Sequence, residues 1–200
     1  MKKKTYHHKD LKNALIENGI QLVAAEGIEK FSLRKAAAAC GVSHAAPYSH
    51  FSNKDDLLNA MQQHITDQFS LLLEQTRAQH EKDPDLLMYM GKAYIMFFLD
   101  HPHYFSFLFS QTDLKIDLSA DSPDSDNFRP FVIFKDAVYS FPAYSALSKQ
   151  EKNDFVIALW AVVHGIASIA TMKHVVYETD WELKIVDILK TFKKIEGSRI

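Results

Sequence analysis

Cysteine is almost missing from this chain: Cys40 stands alone among 200 residues. A single thiol excludes an internal disulfide framework and a cysteine-rich zinc site, and it fits a reducing compartment. Breakers are scarce too, with six glycines and six prolines. Sandwiches and barrels need many turn residues, so their shortage points to a mostly helical protein. The opening Met1-Lys2-Lys3-Lys4 is basic, but residues 5–13 offer no apolar stretch, so a signal peptide is not expected. The longest apolar run, Phe155 to Ala170, is broken by His164 and Ser168. It falls short of the roughly 20 residues that span a bilayer, and is expected to be a fully buried helix with no membrane partner. Catalytic signatures are absent as well. The ten histidines form no His-Glu-x-x-His array, and the chain has no Gly-x-Ser-x-Gly, P-loop or Gly-x-Gly-x-x-Gly stretch. His101 and His103 flank a proline and lack a third ligand nearby in sequence. No enzyme activity, cofactor or metal is expected.

What is present is ordinary globular material: 47% hydrophobic and 24% charged residues, enough to bury a real core. The net charge of −2 hides an asymmetry. Residues 1–54 hold nine basic and four acidic side chains, whereas residues 55–200 hold 14 and 21. A basic head on an acidic body suggests that only the head meets a polyanion.

The head reads as three helices. Leu11, Leu15, Ile16, Ile20 and Val23 recur at three- and four-residue steps from Lys9 to Glu26, and Gly27 supplies a stop. Gly19 inside this helix costs about 1 kcal/mol relative to alanine, which points to close packing there or to simple tolerance. Ser32 is a good N-cap for a short alanine-rich helix, Leu33 to Cys40. Gly41-Val42 turns the chain, and Ser43 caps a further helix through His50 or Phe51. Two short helices about a tight glycine turn form the helix-turn-helix pattern, which presents the start of its second helix to a major groove. Pro47 is tolerated there only within the first turn.

Ser32-Leu33-Arg34-Lys35, the Gly41-Val42-Ser43 turn, Tyr48-x-His50-Phe51 and Lys54-Asp55-Asp56-Leu57-Leu58, all in register, resemble the DNA-binding signature of the tetracycline-repressor (TetR) family. Trp160-Ala-Val-Val-His164-Gly165 resembles the Trp-x-x-x-His-Gly signature of one C-terminal subgroup. The resemblance implies an all-α fold. Residues 1–54 would be a helix-turn-helix DNA-binding domain, and residues 55–200 a helical ligand-binding and dimerisation domain. It implies phosphate and backbone contacts from Ser32, Arg34, Ser43, Tyr48, His50 and Lys54, with His44, Ala45 and Ala46 on the leading edge where bases are read. The residue chemistry agrees: alanine methyls suit a thymine methyl, and an imidazole can donate to a purine acceptor. Lys2, Lys3, Lys4 and Lys9 are either an arm on DNA or a solvated tail.

Beyond the head, Ser52 as cap and Asp55 at the third position open a long helix striped by Leu57, Leu58, Met61, Ile65, Phe69 and Leu72, ending near His80. Further helices are expected over about 86–100, 130–141, 149–174 and 181–195. Residues 112–127, with five aspartates and three serines, read as a loop. Phenylalanines are plentiful in this part. Those at Phe105, Phe109 and Phe134, with Trp160 and His164 one turn apart and Gly165 allowing close approach, are either the lining for a small apolar effector or plain core packing, with His164 a satisfied core histidine. The expected function is a cytoplasmic transcriptional repressor, a homodimer through its last two helices, released from an inverted-repeat operator in double-stranded DNA by an inducer. The alternative is a helical ligand- or partner-binding protein that has lost operator recognition.

Overall fold

A computed structural model describes residues 8–121, 123–124 and 127–197, with backbone alone for 8–10 and 192–197. The Lys2, Lys3, Lys4 and Lys9 side chains lie outside the described residues, as do those of Phe192 and Ile195. Eight α-helices are present and no strand is found among the described residues. Two compact units form: residues up to Asp67 with His103–Asp113, and Gln68–Pro102 with Leu114 onward.

In the first unit, α1 (His8–Glu26) buries Leu15, Ile16, Ile20 and Val23 along the expected stripe, with Leu11 half-buried. Gly27, at φ +88°, ends it. Gly19 is there for packing: a Cβ at that position would collide with the methyl end of Met61, itself fully buried. α2 (Leu33–Ala39) turns Leu33, Ala36 and Ala37 inward beside Phe31.

α3 (Lys54–Gln79) begins in this unit and ends in the second. Its cap lies one residue later than expected. The Asn53 side chain accepts from the Asp56 N–H (2.9 Å), and the Asp56 carboxylate accepts from the Ser52 N–H (2.9 Å). In a Ser-Asn-Lys-Asp-Asp string either neighbour can cap, and the first helical residue decides which. Burial along α3 steps by four, through Leu57, Met61, Ile65, Phe69 and Leu73 rather than Leu72.

The first unit is completed by a segment from far along the chain. α5 (Pro102–Ser106) and a wider π-type turn over Phe107–Gln111 bury Tyr104, Phe105, Phe107 and Leu108. Tyr104 donates its hydroxyl proton to Glu17 (2.7 Å), and His64 Nε2 lies 2.7 Å from the same oxygen.

The second unit holds α4 (Leu86–Asp100), α6 (Arg129–Tyr139), α7 (Lys149–Thr171) and α8 (Trp181–Gly197). Its core is aromatic. Phe69 stacks on Phe97 (4.9 Å between centroids) and meets Tyr94 and Phe98 edge-on (5.0 Å each). Trp160 stands edge-on to Tyr94 (5.0 Å) and Phe131 (5.2 Å), geometries favoured by ring quadrupoles. Gly91 lets α4 close on Val163 and Leu189; a Cβ there would come within 3.2 Å of Val163. Ser148 and Glu151 form a reciprocal capping box at the start of α7. The acidic loop is tied down: Asn127 bonds Asp117 in both directions (3.0 and 2.7 Å), and Asn153 donates to the Leu118 carbonyl (3.0 Å).

Two expectations about α7 are corrected. It is not fully buried: Asn153, Val156, Trp160, Val163 and Ala167 face inward, while Ile169 is 48% exposed. Among the described residues it is the one helix long and apolar enough to cross a membrane by length and composition, yet only 22% of its most apolar window is covered. Its neighbours α4 and α6 pack on one face. Gly165 provides no close approach either, since a Cβ there would meet nothing within 4 Å.

Candidate nucleic-acid interface and ligand cavity

The candidate interface is built from hydrogen bonds made by short stretches of chain. Ser32, in extended backbone, accepts from the Lys35 N–H (3.2 Å) and starts α2, leaving Arg34 and Lys35 exposed. Lys35 pairs with Glu26, which holds that carboxyl below its ordinary value. α2 ends in a Schellman motif: the Val42 N–H bonds the Ala37 carbonyl (3.0 Å) and the Gly41 N–H bonds that of Ala38 (3.1 Å). Gly41 adopts φ +67°, the left-handed conformation this motif requires.

The expected α-helix after the turn is instead a tighter 3-10 segment, Ala46–Ser49, with Ala45 as its N-cap and Pro47 buried in its first turn. Proline explains the change. It has no N–H to return to the Ser43 carbonyl, and its ring would clash there. That carbonyl accepts from the Ala46 N–H instead (3.0 Å), an i to i+3 bond. Ser43 therefore starts the segment through its backbone, and the expected cap is not formed. Beyond Pro47, the N–H groups of His50 and Phe51 both bond the Pro47 carbonyl (2.9 Å each).

The result is a short presenting edge. Ser43, His44 and Ala45 are exposed, Tyr48 is 62% exposed, and Ala46 and His50 are half-buried. Tyr48 thus points its ring and hydroxyl away from the core. Lys54, half-buried at the start of α3, donates to the Ile28 carbonyl (2.7 Å). The Ile28 N–H is held from the other side by the Gln111 side chain (3.2 Å). Gln111, Tyr104 and His64 brace α1 and the following turn, and sequence reasoning missed all three. Their partners lie 83, 87 and 47 residues away, and no local pattern marks them.

In the second unit a cavity of about 570 Å³ opens between the helices. Met88 of α4, Phe134 of α6, Leu159, Val162 and Val163 of α7 and Leu189 of α8 form its apolar wall. Glu81, Lys82, Asp83 and Asp85, on the turn between α3 and α4, form its charged edge. Of the candidate effector residues, Phe134 lines this cavity. Trp160 packs on Phe134 (5.8 Å) and faces Tyr94. His164 Nδ1 lies 2.9 Å from the Tyr94 hydroxyl. Burial lowers the His164 value and raises that of Tyr94, so both are neutral near pH 7. Phe105 and Phe109 belong to the first unit, with ring centroids 5.0 Å apart. No group of three or more His, Cys, Asp or Glu side chains able to hold a metal occurs among the described residues.

Residues 15–61 match the model of bacterial regulatory proteins of the tetR family, and residues 87–185 match that of the tetracyclin repressor-like C-terminal domain. No curated protein matches the chain. Several solved structures share its fold. A bacterial regulatory protein in the tetR family from Rhodococcus RHA1 is 16% identical, with 90% of this chain and 94% of that chain covered and a TM-score of 0.69. A TetR-like transcriptional regulator from Rhodococcus sp. RHA1 is 15% identical, with 98% and 100% covered and a TM-score of 0.66. The fatty acid degradation regulator FadR from Bacillus halodurans is 14% identical, with 95% of both chains covered and a TM-score of 0.63.

Proposed function

Because the chain belongs to the tetR family of bacterial regulatory proteins and regulates transcription by binding DNA rather than by catalysis, we propose that it is a cytoplasmic repressor that leaves an inverted-repeat operator when a small effector enters its C-terminal part. The observation that carries this reading is the presenting edge, with exposed His44, Ala45 and Tyr48 following a glycine-locked turn, and Arg34 exposed at the start of α2. Ser32, Arg34, Ser43, Tyr48, His50 and Lys54 position the edge on phosphates, while His44, Ala45 and Ala46 read bases. Residues 1–54 do the reading, and residues 55–200 sense and dimerise.

So short an edge makes few contacts, so two copies are needed, on half-sites about 34–36 Å apart. The uncovered face of α7, with exposed Ile169, exposed Met172 just past its end, and exposed Leu183 on α8 supply the surface for a second copy. The Trp160, His164 and Gly165 pattern supports our assignment of the C-terminal part to a Trp-x-x-x-His-Gly subgroup. In our reading the effector occupies the cavity on Phe134, with Trp160 and His164 as the layer behind its wall. Phe105 and Phe109, in the first unit, would act on the segment that braces α1. α3, shared by both units, carries the signal between them.

Selection of bound DNA from a random pool tests the proposal. An inverted repeat is the expected product, and a pool without enrichment would favour a helical binding protein that no longer reads an operator. On the selected site, Arg34→Ala should weaken binding to all sequences alike and reduce the salt slope by about one.

A further inference from the structure

The cavity's two kinds of wall specify more than size. Our reading of it as the effector site is the premise here. At about 570 Å³ it accommodates a molecule of ordinary small-ligand size. Among the described residues, every charged side chain that lines it lies on one turn, Glu81 to Asp85. A ligand that fills it therefore has an apolar body with one polar end, and that end faces the turn.

The turn carries three carboxylates against one ammonium, Lys82. Asp83 and Asp85 are half-buried, so water and salt screen them less than surface charges. The Asp83 carboxylate accepts from the Asp85 N–H (2.8 Å), which fixes its orientation in the turn. An anionic head group meets a like-charged edge with a single amine to answer it. A cation meets the opposite. Phe134, Phe141 and Tyr144 also line the cavity, and aromatic faces attract cations through their quadrupoles. We propose that the effector is an amphipathic cation, an amine or quaternary ammonium on an apolar body, and not a fatty acid or another amphipathic anion.

The test uses three probes with the same tail: decyltrimethylammonium, 1-decanol and decanoate, each below its micelle-forming concentration, titrated calorimetrically into the full-length protein. The cation should bind about tenfold or more tighter than decanoate, roughly 1.4 kcal/mol, with the alcohol between them. Raising the salt concentration should narrow that gap. The double variant Glu81→Gln, Asp85→Asn should bring cation and anion within about twofold. Asp85 holds the N-cap position of α4 without a side-chain cap hydrogen bond, asparagine is equally at home there, and unaltered circular dichroism checks the helix start. Decanoate binding as tightly as the cation overturns the proposal, as does a charge preference that survives in the double variant. Decanol binding without any charge preference overturns this inference and leaves the effector cavity standing. Failure of all three probes to bind overturns both.

Discussion

The unit that carries the presenting edge and the unit that carries the cavity are held by different forces. The first relies on small parts and local hydrogen bonds. Ala36 and Ala37 are fully buried, Gly19 and Gly41 occupy positions that a larger residue would disturb, and Ser32 and Asn53 cap their helices. The second relies on volume, with Phe69, Tyr94, Phe98 and Phe131 among its largest fully buried side chains. It leaves the apolar face of α7 uncovered. The contrast teaches where each is vulnerable. The first should break when a conformation or a cap is removed, and the second when a ring is removed.

The largest effect is expected in the second unit. Trp160→Ala removes a ring that is 8% exposed and touches Tyr94, Phe131 and Phe134. A loss of about 3–5 kcal/mol is expected, read from denaturant midpoints; a loss under about 1 kcal/mol would contradict an aromatic core centred there. Next comes Ile169→Glu, on the open face of α7. The isolated fold should change by no more than about 0.5 kcal/mol. Sedimentation should show monomer, and operator affinity should fall about a hundredfold or more as the second half-site is lost. A variant that stays dimeric moves the interface elsewhere.

Gly41→Ala sharpens the comparison, because nothing lies within 4 Å of the added methyl. Any cost comes from φ +67° alone and should be about 1–2 kcal/mol. Operator affinity should fall while the heat of ligand binding stays constant, a separation that calorimetry on the same sample can measure.

The smallest effect is a pH dependence in the second unit. Burial holds the His164 imidazole below the usual 6.5, so the unfolded chain takes up this proton first as pH falls. The contribution of His164 to stability is intact above pH 6.5 and is lost as pH drops from there toward the folded value. Urea midpoints at about pH 7.5 and about pH 5.5 should differ less in His164→Asn than in the parent. An equal difference would mean that other groups carry the dependence.

Helix ends were legible in the sequence wherever one residue controls them: Ser32, Gly27 and Gly41 act on atoms within a few residues. The tight segment after Gly41 was less so, because Pro47 had to be weighed as lost hydrogen bonds rather than as a tolerated helix residue. α7 shows a different limit. A helix apolar nearly all round does not declare which face meets a cavity, which a core and which stays uncovered. Its periodicity cannot say that Val162 and Val163 line the cavity while Trp160 and His164 turn to Tyr94. The bonds from Tyr104 and Gln111 were illegible, since a polar side chain gives no sign of a partner more than eighty residues away.

Those two bonds govern how the molecule can be dissected. The chain leaves the first unit after Asp67 and returns for His103–Asp113 before leaving again. Scissors applied at residue 67 would yield a fragment with the whole presenting edge but without Tyr104, Phe107, Leu108 and Gln111. Glu17 and the Ile28 N–H would lose those partners, and apolar surface on α1 would open to water. Such a fragment should be weak and sticky. Grafting this reader onto a foreign sensor is therefore not a single splice, because the recipient must offer α1 its own equivalent of residues 103–113.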